Sequence, residues 1–412
     1  MDRLQRFRDT RFGMFIHWGP YSLKGIEASW PIVRDQVPWA TYHALGDQFN
    51  PQQYNPREWA ALAKRAGMRY AYLTTKHHDG YALFDTALSD YSAPRRLAGR
   101  DLVREYVDAF RAEGIMVGFY FSLCDWYHPD YPADIADGVA RHRRPAHQVT
   151  PGTPASIAED PARWQRYLDF MFGQVRELLS NYGKIDLVWF DGQWERTAEE
   201  WRAAELVEMM RSLQPDIIIN DRLGDPMLGD YSTPEQNVPV NAPDRPWETC
   251  MTINETWAYN PSDRAYKPAR ELIATLAEVV SKGGVFLLNV GPTPDGVIPP
   301  EFASRLDVIA KWMEGNSEAI FTGGAGLEPG AFYGPTTGSD NAIYLHVLGR
   351  PGGDTLIVRG VARRVTSASV LATGTPLEFD QHGGVLEGGA VRITLPAELL
   401  DANNTVVKLA LA

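Results

Sequence analysis

Along its first three quarters the chain alternates short, continuously apolar runs with longer stretches whose apolar residues recur every three or four positions. Runs of the first kind suit strands buried on both faces, and the second spacing puts a single apolar stripe on a helix. Their alternation predicts parallel βα units. Strands are expected over 12–18, 69–75, 116–122, 185–190, 216–220, 249–253 and 285–290, and helices over 56–66, 101–113, 160–179, 203–213, 270–281 and 301–316. Asn55-Pro56 and Asp160-Pro161 set a capping residue before a proline at a helix start, while Gly67 and Gly114 stop two helices. The polar, proline-broken stretch 134–154 reads as a long loop on the active face. The series approaches the eight repeats of a (β/α)8 barrel, with irregular units expected between 221 and 248.

After about Gly323 the texture changes to Gly, Thr and Val with short alternating runs at 342–348, 355–358, 365–371 and 405–409. Closely spaced turn signals between them predict a small antiparallel β-sandwich. The expected division is a catalytic α/β barrel over 1–322 and a β-sandwich over 323–412.

Barrels carry their chemistry at the C-terminal ends of the strands. The apolar strand before Asp191 ends in that carboxylate, followed by Gly192. Taken alone, Asp191 is balanced between a turn-capping and a catalytic role. Its neighbours on the same face shift that balance: His17, His77, His78, Tyr120, Trp189, Asn220, Arg222, Glu235, Glu248 and Asn289 fall at or just beyond other strands. Imidazoles, a guanidinium, acids and indoles are what a site needs to hold a monosaccharide by hydrogen bonds and stacking. Three histidines and an aspartate also raise the question of zinc. If the second strand continues through them, however, adjacent His77 and His78 point to opposite sides, so no metal and no cofactor is expected.

Charge and composition narrow the partners. With 52 acidic against 40 basic residues and a net charge of −12, no basic surface for a nucleic acid or an anionic membrane is expected. Cys124 and Cys250 imply no disulfide framework and read as small buried hydrophobes. There is no apolar signal core at the N-terminus, which points to a cytoplasmic protein, or a secreted or periplasmic one if a leader has been removed. Homo-oligomerisation is left open.

Taken together, Arg11-Phe12-Gly13-Met14-Phe15-Ile16-His17-Trp18-Gly19, Thr74-Thr75-Lys76-His77-His78-Asp79-Gly80, Trp189-Phe190-Asp191-Gly192, Asn220-Asp221-Arg222, Trp247-Glu248-Thr249-Cys250-Met251-Thr252-Ile253 and the run from Ser281-Lys282-Gly283-Gly284 to Leu288-Asn289-Val290-Gly291-Pro292 resemble the α-L-fucosidases of glycoside hydrolase family 29. The resemblance implies a retaining exo-glycosidase that removes terminal α-L-fucose from oligosaccharides or glycoconjugates without a cofactor. Carried over residue by residue, it implies Asp191 as nucleophile and His17, His77, His78, Tyr120, Trp189 and Arg222 as fucose ligands, with Trp257 walling the C6 methyl. Many members carry a Glu-Trp pair after strand one; this chain has Glu27-Ala28-Ser29-Trp30, so Glu27 and Trp30 are the corresponding candidates. Two residues compete for acid/base: Glu235, on a loop, is the first choice, and Glu248, at the mouth of strand six and a structural partner of Arg222 in the other reading, is the second. A catalytically silent fucose-binding barrel and a metal-dependent barrel hydrolase are the alternatives.

Overall fold

The computed structural model describes residues 2–137, 140–349, 352–382 and 389–412. Seven parallel strands form one curled sheet: β1 (Phe12–Ile16), β2 (Tyr70–Lys76), β3 (Met116–Ser122), β4 (Leu187–Asp191), β5 (Ile218–Ile219), β6 (Glu248–Thr252) and β7 (Val285–Val290). Their order is β5-β4-β3-β2-β1-β7-β6. Helices α1 (Pro56–Arg65), α2 (Leu102–Ala112), α3 (Pro161–Asn181), α4 (Ala203–Leu213), α5 (Ala269–Ser281) and α6 (Pro300–Phe321) alternate with the strands. Asp101 and Asp160 cap α2 and α3 by accepting backbone N–H bonds, whereas Asn55 precedes α1 with its amide turned to Glu58.

Period-two alternation sorts the strand side chains. Met14, Ile16, Phe119, Phe121, Val188 and Phe190 join the core beneath the helices, while Phe15, Tyr70, Tyr72, Tyr120, Leu187 and Trp189 fill the lumen. Gly13 makes room there, since a Cβ on it would lie 2.3 Å from the Tyr70 ring. Phe7, from the helix Arg3–Arg8, plugs the N-terminal end of the lumen against Tyr70 and Tyr231.

The expected eighth unit is irregular. The gap between β5 and β6 is spanned by residues 230–236, which bond to both neighbours without forming a regular ladder. The Asp230 N–H donates to Ile219 O at 2.7 Å, and the Ser232 N–H to Pro246 O at 2.8 Å. On the β6 side, the N–H groups of Glu248 and Cys250 donate to Ser232 and Pro234, and that of Gln236 to Cys250. The fold is therefore a (β/α)8-like barrel in which a bridging segment, sixth in chain order, takes the place of one stave.

Residues 134–154, expected as a loop, carry a two-stranded antiparallel ribbon, Asp134–Asp137 with Ala140–Arg143, and a short turn at Ala146–Gln148; 138 and 139 lie outside the described residues. From Gly324 onward the chain forms a five-stranded and a three-stranded sheet, antiparallel throughout, that enclose Leu345, Val358, Val391, Ile393, Val407 and Leu409. This β-sandwich is tied to the barrel by Arg11 donating to Gly323 O at 2.9 Å, by Trp312 donating to Asn404 O at 2.8 Å and by the 2.6 Å Lys408–Glu318 pair. Both cysteines are buried and free. Among the described residues no helix is long and apolar enough to cross a membrane.

Candidate active site

A cavity of about 370 Å³ opens at the C-terminal ends of the strands, lined by Phe15, His17, Trp30, His77, Tyr120, Trp189, Asp191, Trp194, Arg222, Glu235 and Trp257. Asp191 is the last residue of β4, two positions beyond Trp189, so both side chains face the lumen. Gly192 follows with φ +80°, and a Cβ there would come within 2.7 Å of Cys124 Sγ, so the sharp turn after Asp191 needs glycine. The Asp191 carboxylate caps nothing: the turn Gln193–Glu195 has no side-chain cap, and Asp191 bonds across the barrel instead. Oδ2 accepts from the Tyr120 hydroxyl at 2.9 Å and Oδ1 from Arg222 Nη1 at 3.0 Å. Asn220, fully buried, bonds the Phe190 N–H and carbonyl with its side-chain amide and so clamps the strand end that carries Asp191.

Arg222 joins two carboxylates. Its Nη2 donates to Glu235 Oε2 at 2.6 Å, its Nε to Thr233 Oγ1 at 3.1 Å, and its guanidinium carbon lies 4.3 Å from the Trp189 ring centroid. Burial works against the guanidinium charge, but Asp191 and Glu235 outweigh it and hold the pKa above its ordinary value. Glu235 rides on the bridging segment, and its side chain is 38% exposed.

The imidazoles are neutral. Burial lowers His17 and His78 to about 3 and pushes His77 well below its usual value. Each Nδ1 has a protein partner: Asn289 Oδ1 at 2.7 Å for His17, Ser29 Oγ at 2.6 Å for His77 and Ser122 Oγ at 2.7 Å for His78. Asn289 also donates to Trp257 O at 2.7 Å, which orients its carbonyl oxygen to accept from His17 and leaves His17 Nε2 as an acceptor. Among the described residues no cluster of His, Cys, Asp or Glu has the arrangement of a metal site.

A family model described as α-L-fucosidase matches residues 2–318. The chain belongs to the α-L-fucosidase family. It is 31% identical to human tissue α-L-fucosidase over 342 residues, 76% of this chain and 68% of that one. The structure of α-L-fucosidase isoenzyme 1 from Paenibacillus thiaminolyticus superposes with a TM-score of 0.88 at 41% identity, covering 100% of this chain and 99% of that one. A Bacteroides thetaiotaomicron family 29 α-L-fucosidase, solved as a trapped covalent intermediate with 2-fluoro-fucosyl fluoride in a glutamate-to-glutamine mutant, superposes with a TM-score of 0.85 at 29% identity, covering 99% and 96%.

Three of the expected residues of this fucosidase are not among those that line the cavity. His78 is fully buried: β2 ends at Lys76, so the His77 and His78 rings do not point apart but lie 4.2 Å from each other. His78 Nε2 comes to 3.7 Å from Asp191 Oδ2 without a hydrogen bond, and with a neutral ring that contact is no ion pair. Glu27 points at backbone: it accepts from the N–H groups of Trp257 at 3.0 Å and Ala258 at 3.3 Å and holds the Trp257 loop, its pKa raised by burial to about 7. Glu248 is not at the mouth of strand six. It is the first residue of β6, fully buried in the lumen, where it accepts from Tyr70 at 2.6 Å and Trp189 Nε1 at 3.0 Å rather than from Arg222.

Sequence reasoning missed two wall residues of the fucosidase. Phe15 stands two positions before His17, so strand alternation alone would have placed it in the lumen. Trp194 lies on the irregular turn after Asp191, where no periodicity points to it. Other polar and aromatic residues beyond the strand ends do not line the cavity: Trp18 packs against Phe49, Tyr54 and Trp59 in the outer core, Asp125 is buried against Lys76 at 3.2 Å, and His128 packs on Phe170.

Proposed function

We propose that the protein is a retaining exo-α-L-fucosidase in which Asp191 is the nucleophile and Glu235 the general acid/base. The observation that carries the assignment is that Asp191 and Glu235 are the two carboxyl groups among the residues lining the cavity. Glu248, the competing acid, is sealed in the lumen beneath Trp189 and outside the cavity wall, where it has no access to a departing oxygen.

The chemistry runs as a double displacement. An Asp191 oxygen forms a bond to the anomeric carbon as the bond from that carbon to the aglycone oxygen breaks, and Glu235 gives its proton to the leaving oxygen. Tyr120 and Arg222 hold the attacking carboxylate in line through hydrogen bonds to its two oxygens. Glu235 then takes a proton from water, whose oxygen displaces Asp191 from the β-linked intermediate, and the α configuration is restored. Neutral His17 and His77 serve as hydroxyl ligands, and Phe15 and Trp257, 5.9 Å apart between ring centroids, supply an apolar wall for a methyl group.

The test is chemical rescue. Asp191→Gly is expected to lower kcat on an aryl α-L-fucoside by about 10³-fold or more. Azide is then expected to restore part of the activity and to give β-L-fucosyl azide, because azide attacks in place of the missing carboxylate. Rescue that yields only the α-azide, or a variant with near wild-type activity, would remove Asp191 from the role.

A further inference from the structure

Nine of the twelve tryptophans donate their indole N–H to a protein acceptor. Among the described residues the three that do not are Trp30, Trp194 and Trp257, and all three line the one cavity. A half-buried indole with an unengaged N–H offers a ligand both a stacking face and a donor. Trp257 is accounted for by the methyl wall. Trp30 and Trp194 lie elsewhere on the rim, nearly parallel at 15° with centroids 6.1 Å apart. Each meets the His78 ring edge-on, at 5.6 Å in both cases.

We infer that Trp194, stacked on Trp30, which the resemblance assigns to fucose itself, forms the binding site for the sugar to which fucose is attached: a pyranose that lays its C–H face on the Trp194 indole and engages its N–H through a hydroxyl or ring oxygen. The inference rests on the fucosidase reading and goes beyond it to the aglycone. Phe15, His17, Tyr120 and Trp189 are buried and close the cavity from below, so whatever fucose is linked to must leave across the rim. Trp194 is also built to hold its position. The turn that carries it begins at Gly192, and the next residue, Glu195, is buried and accepts from Trp126 Nε1 at 3.0 Å and from the Tyr131 hydroxyl. A rim side chain whose chain neighbour is anchored and whose ring is already stacked on Trp30 loses little freedom when a ligand stacks on it.

The experiment compares two leaving groups. For the wild-type enzyme, W194A and W194F, kcat/KM is measured on α-L-fucosyl fluoride, whose leaving group is a single atom, and on the best substrate among α-1,2-, α-1,3-, α-1,4- and α-1,6-linked fucosyl disaccharides. Loss of one stacking face and one hydrogen bond should lower the disaccharide-to-fluoride ratio roughly tenfold or more in W194A. W194F, which keeps a face but lacks the N–H, should fall in between. A ratio that stays at the wild-type value, whether both rates are intact or both fall together, overturns the aglycone site. A wild-type enzyme that hydrolyses neither the fluoride nor any fucosyl disaccharide overturns the fucosidase reading instead, and the inference with it.

Discussion

Replacing Glu248 by glutamine tests whether that carboxyl is a buried structural acid rather than the catalytic one. Burial raises its pKa from 4.5 to about 8, an effect that the Tyr70 and Trp189 hydrogen bonds and the Arg222 charge only partly offset. In the folded protein the group therefore stays protonated up to about pH 8, whereas in the unfolded chain it ionises near pH 4.5. Between those values the unfolded chain has released a proton that the folded one keeps, so this residue's contribution to stability falls as pH rises and levels off once both states are ionised. At 1.36 kcal/mol per unit of pKa, the loss between pH 6 and pH 8 comes to about 2 kcal/mol. Glutamine does not titrate. Urea unfolding of wild type and Glu248→Gln at pH 6 and pH 8 should show the variant gaining about 2 kcal/mol relative to wild type over that interval. Glu27 and Asp79, each raised to about 7, titrate in both proteins and cancel in the difference. A wild-type-minus-variant difference that does not change with pH would refute the buried-acid argument. Glu248→Gln should also weaken aryl fucosides and natural glycans alike, since it acts through the Trp189 indole under Arg222.

Glu235→Ala should show the opposite signature: formation of the fucosyl-enzyme survives for nitrophenyl fucosides, whose leaving group needs no proton, and falls roughly 10²–10⁴-fold for natural glycans. Azide should then release the intermediate as the retained α-fucosyl azide, and equal losses on both substrate types would exclude Glu235 as the acid. Asn289→Ala leaves the buried His17 Nδ1–H without its acceptor and the Trp257 carbonyl without its donor. At about 1–3 kcal/mol for an unsatisfied buried group, kcat/KM should fall roughly five- to hundredfold; an unchanged value would show that His17 is oriented by something else.

Much of this architecture is legible in the residue pattern because two periodicities carry it. The strand runs at 116–122 and 285–290 coincide with β3 and β7, and alternation within them separates lumen from outer core. Motifs that end strands, such as Trp189-Phe190-Asp191-Gly192, locate the cavity because strand ends are where a parallel barrel is open. What failed to show has physical causes as well. The bridging segment lacks strand periodicity, and its Pro234 has no N–H to give to a ladder, so nothing in 230–236 announces a barrel stave. In the sequence Glu248, a carboxyl at the start of a strand, reads as a polar boundary; only the tyrosine and tryptophan donors converging on it from β2 and β4 explain how it lies inside. The bonds of Glu27 to the Trp257 loop are not legible in the sequence because that loop lies some 230 positions away in the chain.

The two carboxylates assigned to catalysis are mounted on supports of different stiffness. Asp191 closes a strand laddered to β3 along its length and pinned on its other side by β5 and Asn220, so its position is set by the sheet itself. Glu235 hangs from a bridge with scattered anchor points, flanked by loops that can lengthen or shorten without disturbing a ladder. The proposed nucleophile is thereby held by a ladder on both sides, the proposed acid by the few backbone bonds that Pro234 and Gln236 make to Cys250. Length changes in the loop after Gln236, which leave Arg222 and Thr233 in place, are a route by which this scaffold can adapt the proposed acid to leaving groups of different size while the sheet and Arg222 keep hold of Asp191.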